Sequence, residues 1–219
     1  MKKLLLMATA LLFACTADLF AQEGGENTPG SSPDNPILIA NKADFLAIAN
    51  APNKYYKQTA DTIDLGTINA TVSQDSITNA YFVRNFTGNY DGNGKSITYQ
   101  ISIKVNDTDE NQDGYIGLFG TLSSAVVKNL TIKESNISFT CSESGAYSQT
   151  QRYMGFICGR MMDNATISNC CINDSRVNIS GFRNKICFYV HVAGAVGSME
   201  GGTLQGISYS CETASENDY

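Results

Sequence analysis

The residues whose types and spacing best suit chemistry lie in the segment Asp109-Glu-Asn-Gln-Asp-Gly114. Oxygen-bearing side chains recur there at alternate positions and a glycine follows, as at the start of a calcium-binding loop. Asp109, Asn111 and Asp113 are therefore candidate calcium ligands. Gly120 stands where such a loop needs a bidentate glutamate, and a polar turn explains the same residues. No other cofactor is indicated.

Glu134 and Asp174 are the candidates for a catalytic pair of carboxyl groups. They occupy matching places in two copies of an internal repeat, and stacking the copies would separate the carboxyl groups by about 5 Å, near the spacing of retaining glycosidases. Solvated turn acids are much commoner than catalytic pairs, and Arg176 offers a charge that would offset these two. We therefore expect no catalysis here.

The single histidine and the tyrosines offer weaker candidates. His191 lies beside a predicted inward strand, and no Ser or Cys stands in a recognisable nucleophile motif, so a structural role is favoured. The chain has 11 tyrosines, which could form a sugar-stacking surface or pack at the corners of the fold. We prefer packing for this set, which includes Tyr55, Tyr56, Tyr81, Tyr90 and Tyr99.

The cysteines indicate little chemistry. An even number remains if Cys15 leaves with an export segment, which permits disulfides without establishing them. Cys170 and Cys171 are neighbours that would point to opposite faces of a strand, so most cysteines are interpreted as small apolar fillers. If one bridge exists, we expect it to join Cys141 and Cys187, because both fall in loops between repeats.

The N-terminus is typical of an exported bacterial protein. Lys2 and Lys3 precede an apolar run over residues 4–14 that is too short to span a bilayer. We favour a signal peptide over residues 1–21, cleaved after Ala21; the alternative is lipidation of Cys15, which would give a lipid anchor. No second apolar run predicts a transmembrane span, so the product is secreted or held at the outer surface.

Composition bounds the rest of the chain. Residues 22–36 are rich in Gly, Pro and Ser and read as a flexible linker. A folded domain is expected over residues 37–211, followed by a frayed tail over residues 212–219. The formal net charge of −6 and the absence of a basic stripe disfavour nucleic acid as a partner.

Internal repetition decides the fold class. Three copies of one pattern place Gly120, Gly159 and Gly197 about 39 residues apart, a period typical of stacked supersecondary units. Alignment of the copies gives three apolar columns and one column containing only Asn and Gly. The apolar columns are Val127, Ile167, Leu204; Leu130, Cys170, Ile207; and Ile132, Ile172, Tyr209.

The remaining column, Asn129, Asn169 and Gly206, predicts a corner, because Asn and Gly tolerate a left-handed backbone. Short Val, Ile and Thr-rich strands between such corners predict an all-β fold, a right-handed parallel β-helix of about four to five coils. Asn41 is expected to cap a short helix over residues 42–50, with Asp44 in its first turn, and this helix would cover the N-terminal edge.

Several motifs together resemble a known family. Phe86-Thr-Gly-Asn-Tyr-Asp-Gly-Asn-Gly-Lys-Ser-Ile97, Gly117-Leu-Phe-Gly120 and Ala165-Thr-Ile-Ser-Asn-Cys170 are similar to GLUG-motif repeats of Bacteroidetes proteins. Similar repeats occur in non-catalytic regions of metal-dependent immunoglobulin A proteases. The resemblance covers about residues 35–211, and Phe156 departs from it where the family has glycine. It implies a surface-exposed or secreted, adhesin-like right-handed β-helix without an established activity.

Other features of the sequence bear on modification and function. Asp61-Thr62-Ile63 and Asp75-Ser76-Ile77 resemble sites of bacterial O-glycosylation at Thr62 and Ser76. The leading hypothesis is a non-catalytic module that binds a glycan or a protein. The alternatives are a polysaccharide lyase or hydrolase, which rests on fold analogy alone, and a truncated module without independent activity. Plain Ser, Thr and Asn columns would favour the first, and exposed apolar edges at the last coil would favour the third.

Overall fold

The computed structural model describes residues 28–72, 80–105, 114–141, 151–180 and 189–210. One α-helix, α1 (Lys42–Ala47), runs into a 3-10 turn (Ile48–Asn50). The strands are β1 (Ile37–Ile39), β2 (Tyr55–Gln58), β3 (Thr62–Val72), β4 (Ala80–Phe86), β5 (Asn89–Val105), β6 (Gly114–Ser123), β7 (Val126–Lys133), β8 (Asn136–Cys141), β9 (Gln151–Met154), β10 (Cys158–Met162), β11 (Thr166–Ser168), β12 (Cys171–Asn173), β13 (Arg176–Ser180), β14 (Tyr189–Val192), β15 (Val196–Met199), β16 (Thr203–Gln205) and β17 (Ser208–Ser210).

These strands form a right-handed parallel β-solenoid, as the repeats predict. Every pairing between named strands is parallel, and all of them except β1 with β2 join segments about one repeat apart in sequence. One sheet of 11 strands and one of six strands together enclose the core. Long strands such as β5 bend at corners, so one strand contributes to two successive sides of the coil.

The predicted columns are present in the strand register. Ile167 pairs with Val127 on one side and Leu204 on the other. Gly159 lies between Gly120 and Gly197, because the residues flanking these glycines are partners. Every second residue along a strand faces the interior. These side chains stack along the solenoid axis and are buried.

The number of coils is slightly lower than predicted. The chain completes about three turns rather than four to five. The short strands at the ends belong to partial turns: β1 pairs only with β2, and no described strand follows β17.

The N-terminal helix has the predicted cap. The Asn41 side chain accepts a hydrogen bond from the Asp44 amide at 3.0 Å, which satisfies one of the free amides of the first turn. Phe45 is fully buried, and its ring lies 5.6 Å from that of Tyr90 and 6.0 Å from that of Phe119. The helix therefore covers the N-terminal end of the core. No helix in the described ranges is long and apolar enough to cross a membrane.

Residues 28–36, which the composition assigns to a flexible linker, lie against the first strands. The Gly30 amide donates to the Asn35 carbonyl at 2.6 Å, and the Tyr55 amide donates to the Gly30 carbonyl at 3.1 Å. These bonds hold Pro33 and Pro36 beside the outer surface of β2. This packing could not be predicted from the composition of the segment, because two backbone hydrogen bonds and two prolines leave no periodic pattern in the sequence.

Candidate functional site: the outer faces of the solenoid

Glu134 and Asp174 lie at one corner, one coil apart, as the repeat predicts. Their backbones are left-handed, with φ of 48° and 46°. The Glu134 amide donates to the Asn173 carbonyl at 3.0 Å, and the Glu134 carboxylate pairs with Lys133 at 3.0 Å. These contacts give both acids a structural place at the bend, and the catalytic pairing stays a hypothesis.

The side formed by β3, the second half of β5, β8 and β13 carries an outer surface that we call the polar face. Its columns follow directly from the register, in which Gln100, Asn136 and Arg176 are neighbours, as are Ser102, Ser138 and Asn178. The polar face consists of Thr67, Asn69, Gln100, Ser102, Lys104, Asn136, Ser138, Thr140, Arg176, Asn178 and Ser180, all partly or fully exposed.

Hydrogen bonds between neighbouring coils order part of the polar face. The Asn178 amide donates to the Asn136 side-chain carbonyl at 2.8 Å, and the Thr140 and Ser180 hydroxyls are 3.2 Å apart. The described residues that make up the polar face include no Asp or Glu. Apart from Gln100, Lys104 and Arg176, its members are Ser, Thr and Asn, the residues expected on the exposed columns of a non-catalytic surface.

The opposite sheet carries an aromatic stack of Tyr115, Tyr153 and His191. The rings of Tyr115 and Tyr153 lie 5.7 Å apart, and those of Tyr153 and His191 lie 4.7 Å apart, with interplanar angles of 13° and 14°. The Arg160 guanidinium lies 5.5 Å from the centre of the Tyr115 ring. The faces of Tyr153 are thus occupied by its neighbours, which makes the stack a ladder between coils rather than a free platform for a ligand.

His191 is exposed, and one of its ring nitrogens, Nε2, lies 2.9 Å from Gln151 Oε1. The Tyr153 hydroxyl donates to the same Gln151 oxygen at 2.6 Å. The sequence motifs did not predict this stack. Their positions in the sequence could have indicated it, because Tyr115, Tyr153 and His191 precede the repeated glycine pattern of each repeat copy at matching places.

A concave site, which we call the tyrosine cleft, lies on the outer surface of β2, β5 and β7. Its volume is about 120 Å³. The exposed part of its lining comprises Pro33, Pro36, Tyr55, Lys57, Asn89, Asp91, Val126 and Lys128. Tyr55, Asn89 and Val126 form one outward column, and Lys57, Asp91 and Lys128 form the next.

Asp91 is the acid of the tyrosine cleft. Its partial burial would raise the pKa of the carboxyl, but three donors outweigh that effect and hold the pKa below its ordinary value. The Asn129 amide donates to the carboxylate at 3.0 Å, the Asn93 backbone amide at 2.8 Å, and the Lys128 ammonium lies 3.5 Å away. Asp91 is therefore ionised at neutral pH and fixed in position.

The tyrosines divide between core and surface. Tyr56, Tyr90 and Tyr99 are buried, so the packing interpretation holds for these three. The Tyr90 hydroxyl donates to the buried Gln58 side chain at 2.9 Å, and the Tyr99 hydroxyl donates to the Phe156 carbonyl at 2.6 Å. Tyr55 and Tyr81 are partly exposed. The side that a tyrosine faces follows from strand alternation, which separates Tyr55 from Tyr56.

Cys158, Cys170 and Cys171 are free thiols. Cys158 and Cys170 are buried and Cys171 is partly exposed, so the two adjacent cysteines do face opposite sides of the strand. Burial raises the pKa of the Cys170 thiol to about 11 and also raises the pKa of Cys158. Both are protonated fillers at neutral pH, as expected of a small apolar residue in a core.

Several predicted sites lie outside the described residues: Asp109, Asn111 and Asp113, Cys15, Ser76 and Cys187. Cys141 is the last residue of β8, although the sequence analysis placed it in a loop. Thr62 is exposed on the edge strand β3. Within the described ranges, no group of three or more His, Cys, Asp or Glu side chains is placed to hold a metal ion.

Most large apolar side chains that are exposed lie at the C-terminal end of the solenoid. Tyr209 is 61% exposed and Met199 is 48% exposed, although both belong to columns that are buried one coil earlier. They accompany Ile179, Val192 and Leu204. A groove of about 400 Å³ opens at this end between β12, β14 and β17. The core columns thus stop in the described structure without a covering layer.

Comparison of the chain with family models, with curated proteins and with solved structures finds no match.

Proposed function

We propose that this protein is an exported, non-catalytic β-solenoid that binds an extracellular glycan or protein through its outer flank. The N-terminal segment typical of export and the resemblance to GLUG-motif repeats support the first part of the proposal. The polar face carries the second part. It offers exposed hydroxyls and amides in regular columns, and such groups bind a partner by hydrogen bonding without supplying an acid and a base.

The pairing of charges elsewhere supports a binding role over a catalytic one. Asp61 pairs with Lys95, and Glu200 forms a two-pronged pair with Arg160 whose Nε to Oε1 distance is 2.7 Å. A catalytic acid or base needs a perturbed environment and a place in a cleft that reaches the substrate. These two pairs are instead bridges between neighbouring coils, each with an exposed acid.

A binding screen tests this proposal. We expect the purified protein to bind at least one class of glycan or protein on an array of microbial and host molecules. The binding should be saturable, and any bound glycan should remain uncleaved. The screen should be run with calcium and with a chelator, because loss of binding with chelator would support Asp109, Asn111 and Asp113 as calcium ligands that binding requires.

A matched pair of variants addresses the enzyme alternative. Glu134→Gln and Asp174→Asn keep the side-chain volume and remove the ionisable groups. Cleavage products that disappear in these variants would contradict the proposal. Binding that is unchanged in both variants, with no products in any sample, would support it.

A second candidate function is favoured by the exposed apolar side chains of the last described coil, since such an edge is expected of a module that does not act alone. In that case the protein is a module without independent activity. A blank screen with protein whose circular dichroism shows an intact β fold would favour this candidate. Saturable binding by the isolated protein would contradict it.

A further inference from the structure

The tyrosine cleft differs in chemistry from the polar face. Two prolines and the half-buried ring of Tyr55 give it an apolar wall, and charged side chains line the opposite part. Binding sites for small organic groups combine an apolar or aromatic wall with a few fixed polar groups, and the tyrosine cleft has both. Asn89 adds an amide that can donate and accept hydrogen bonds.

The charges of the tyrosine cleft do not balance. Lys57 and Lys128 flank the single carboxylate of Asp91 in one column. Lys128 pairs with Asp91 at 3.5 Å. Lys57 is half-buried, and among the described residues it forms no ion pair or side-chain hydrogen bond. Its ammonium group is therefore available to an anion that enters the cleft.

The cleft continues along the solenoid axis. The column of Tyr55, Asn89 and Val126 extends to Thr166 and Thr203, and the column of Lys128 extends to Ser168 and Gln205. Five levels spaced as neighbouring strands give a strip of about 19 Å. A short polymer could therefore lie along the axis with one unit in the cleft and its other units over hydroxyls and an amide.

We propose that the tyrosine cleft binds a carboxylated glycan, with a sugar ring against Tyr55, its carboxylate on Lys57, and the chain running along the Thr166 and Thr203 column. This inference rests on the proposed binding function and names its ligand class. A carboxylate on an ammonium group forms a charge-assisted hydrogen bond, which is stronger than a neutral one. The pyranose ring supplies the apolar face that packs on tyrosine.

Titration calorimetry with a panel of oligouronates tests the assignment. The panel contains oligomers of galacturonate, mannuronate and glucuronate, each beside its neutral methyl ester. We expect at least one oligouronate to bind, and its methyl ester to bind about 10-fold more weakly, because esterification removes the charged acceptor. Equal affinity for acid and ester, or no binding by any oligouronate, would overturn the inference.

Variants locate the site. Lys57→Gln should weaken the oligouronate about 10-fold and the methyl ester much less, while Tyr55→Leu should weaken both. Lys42→Gln removes an exposed charge at the start of α1, outside both the tyrosine cleft and the polar face, and serves as the matched control, with an expected change below about twofold. Equal losses in Lys57→Gln and Lys42→Gln would show nonspecific charge attraction and overturn the assignment.

The two proposals fail separately. Glycans or proteins that bind in the screen with an affinity unaffected by Lys57→Gln would leave the binding function standing and refute the tyrosine cleft as its site. Both side chains lie on the outer surface, so the cleft variants should fold as the wild type does. Unchanged circular dichroism and unchanged urea midpoints would establish this.

Discussion

Single residues decide where the coil bends. The prediction that Asn129, Asn169 and Gly206 form a corner is confirmed by their φ angles of 53°, 53° and 62°. A left-handed backbone costs an ordinary L-residue about 1–2 kcal/mol, and Asn reduces that cost by local hydrogen bonding. The same conformation at Glu134 and Asp174 was not predicted, because Glu is not typical of it.

Asn169 gives a direct test of the corner. Asn169→Val places a β-branched side chain at positive φ and should lower the free energy of unfolding by about 1–2 kcal/mol. Asn169→Gly is the matched control and should change it by much less, because glycine already serves at Gly206 in the same column. Urea denaturation measures both. Equal midpoints for the two variants would contradict the corner assignment.

Asp91 predicts a pH dependence. Its folded pKa lies below the ordinary value of 3.8, so its contribution to stability is present above that value and is lost as pH falls through the folded pKa. Wild-type protein should therefore lose more stability between about pH 6 and about pH 2.5 than Asp91→Asn. Urea midpoints at both pH values measure the difference. A larger loss in Asp91→Asn than in wild type would contradict this electrostatic account.

Strands and their register are the elements that the sequence predicts best. Repeated apolar columns and the glycine spacing fix which coil positions are neighbours, and Asn41 with Asp44 marks the helix start. The tyrosine cleft could not be predicted, because Pro33 and Pro36 reach it from a segment without periodicity. The aromatic stack could not be predicted from the apolar pattern either, because it lies at outward positions and that pattern predicts only the inward ones.

The glycine column tests the packing of neighbouring coils. A Cβ on Gly159 would lie 2.5 Å from the Ile116 amide nitrogen and 2.7 Å from Tyr115 Cβ, so backbone must move to admit it. Gly159→Ala should therefore lower the free energy of unfolding by about 1–3 kcal/mol, the usual cost of overpacking. Ser168→Ala, on an outer surface, is the control and should be nearly neutral. An unchanged free energy of unfolding in Gly159→Ala would contradict the close packing of neighbouring coils at this glycine.

At the scale of the whole molecule, the two ends of the solenoid differ. The helix covers the N-terminal end with the fully buried Phe45, whereas the core columns reach the surface at Leu204 and Tyr209. Each coil of a solenoid contacts only its neighbours, so the last strands have contacts on one side only. The outer surface between these ends carries the polar face, on which the proposed function depends, and the tyrosine cleft, on which the proposed ligand class depends.

The most direct test of that function is the length of a bound polysaccharide before and after incubation. The protein should be incubated for a day with the polysaccharide that it binds most tightly, at a concentration that saturates binding. The mass of the polysaccharide should then be measured by light scattering coupled to chromatography. We predict saturable binding and an unchanged mass distribution. A fall in glycan mass that requires the protein would contradict the account and identify an enzyme.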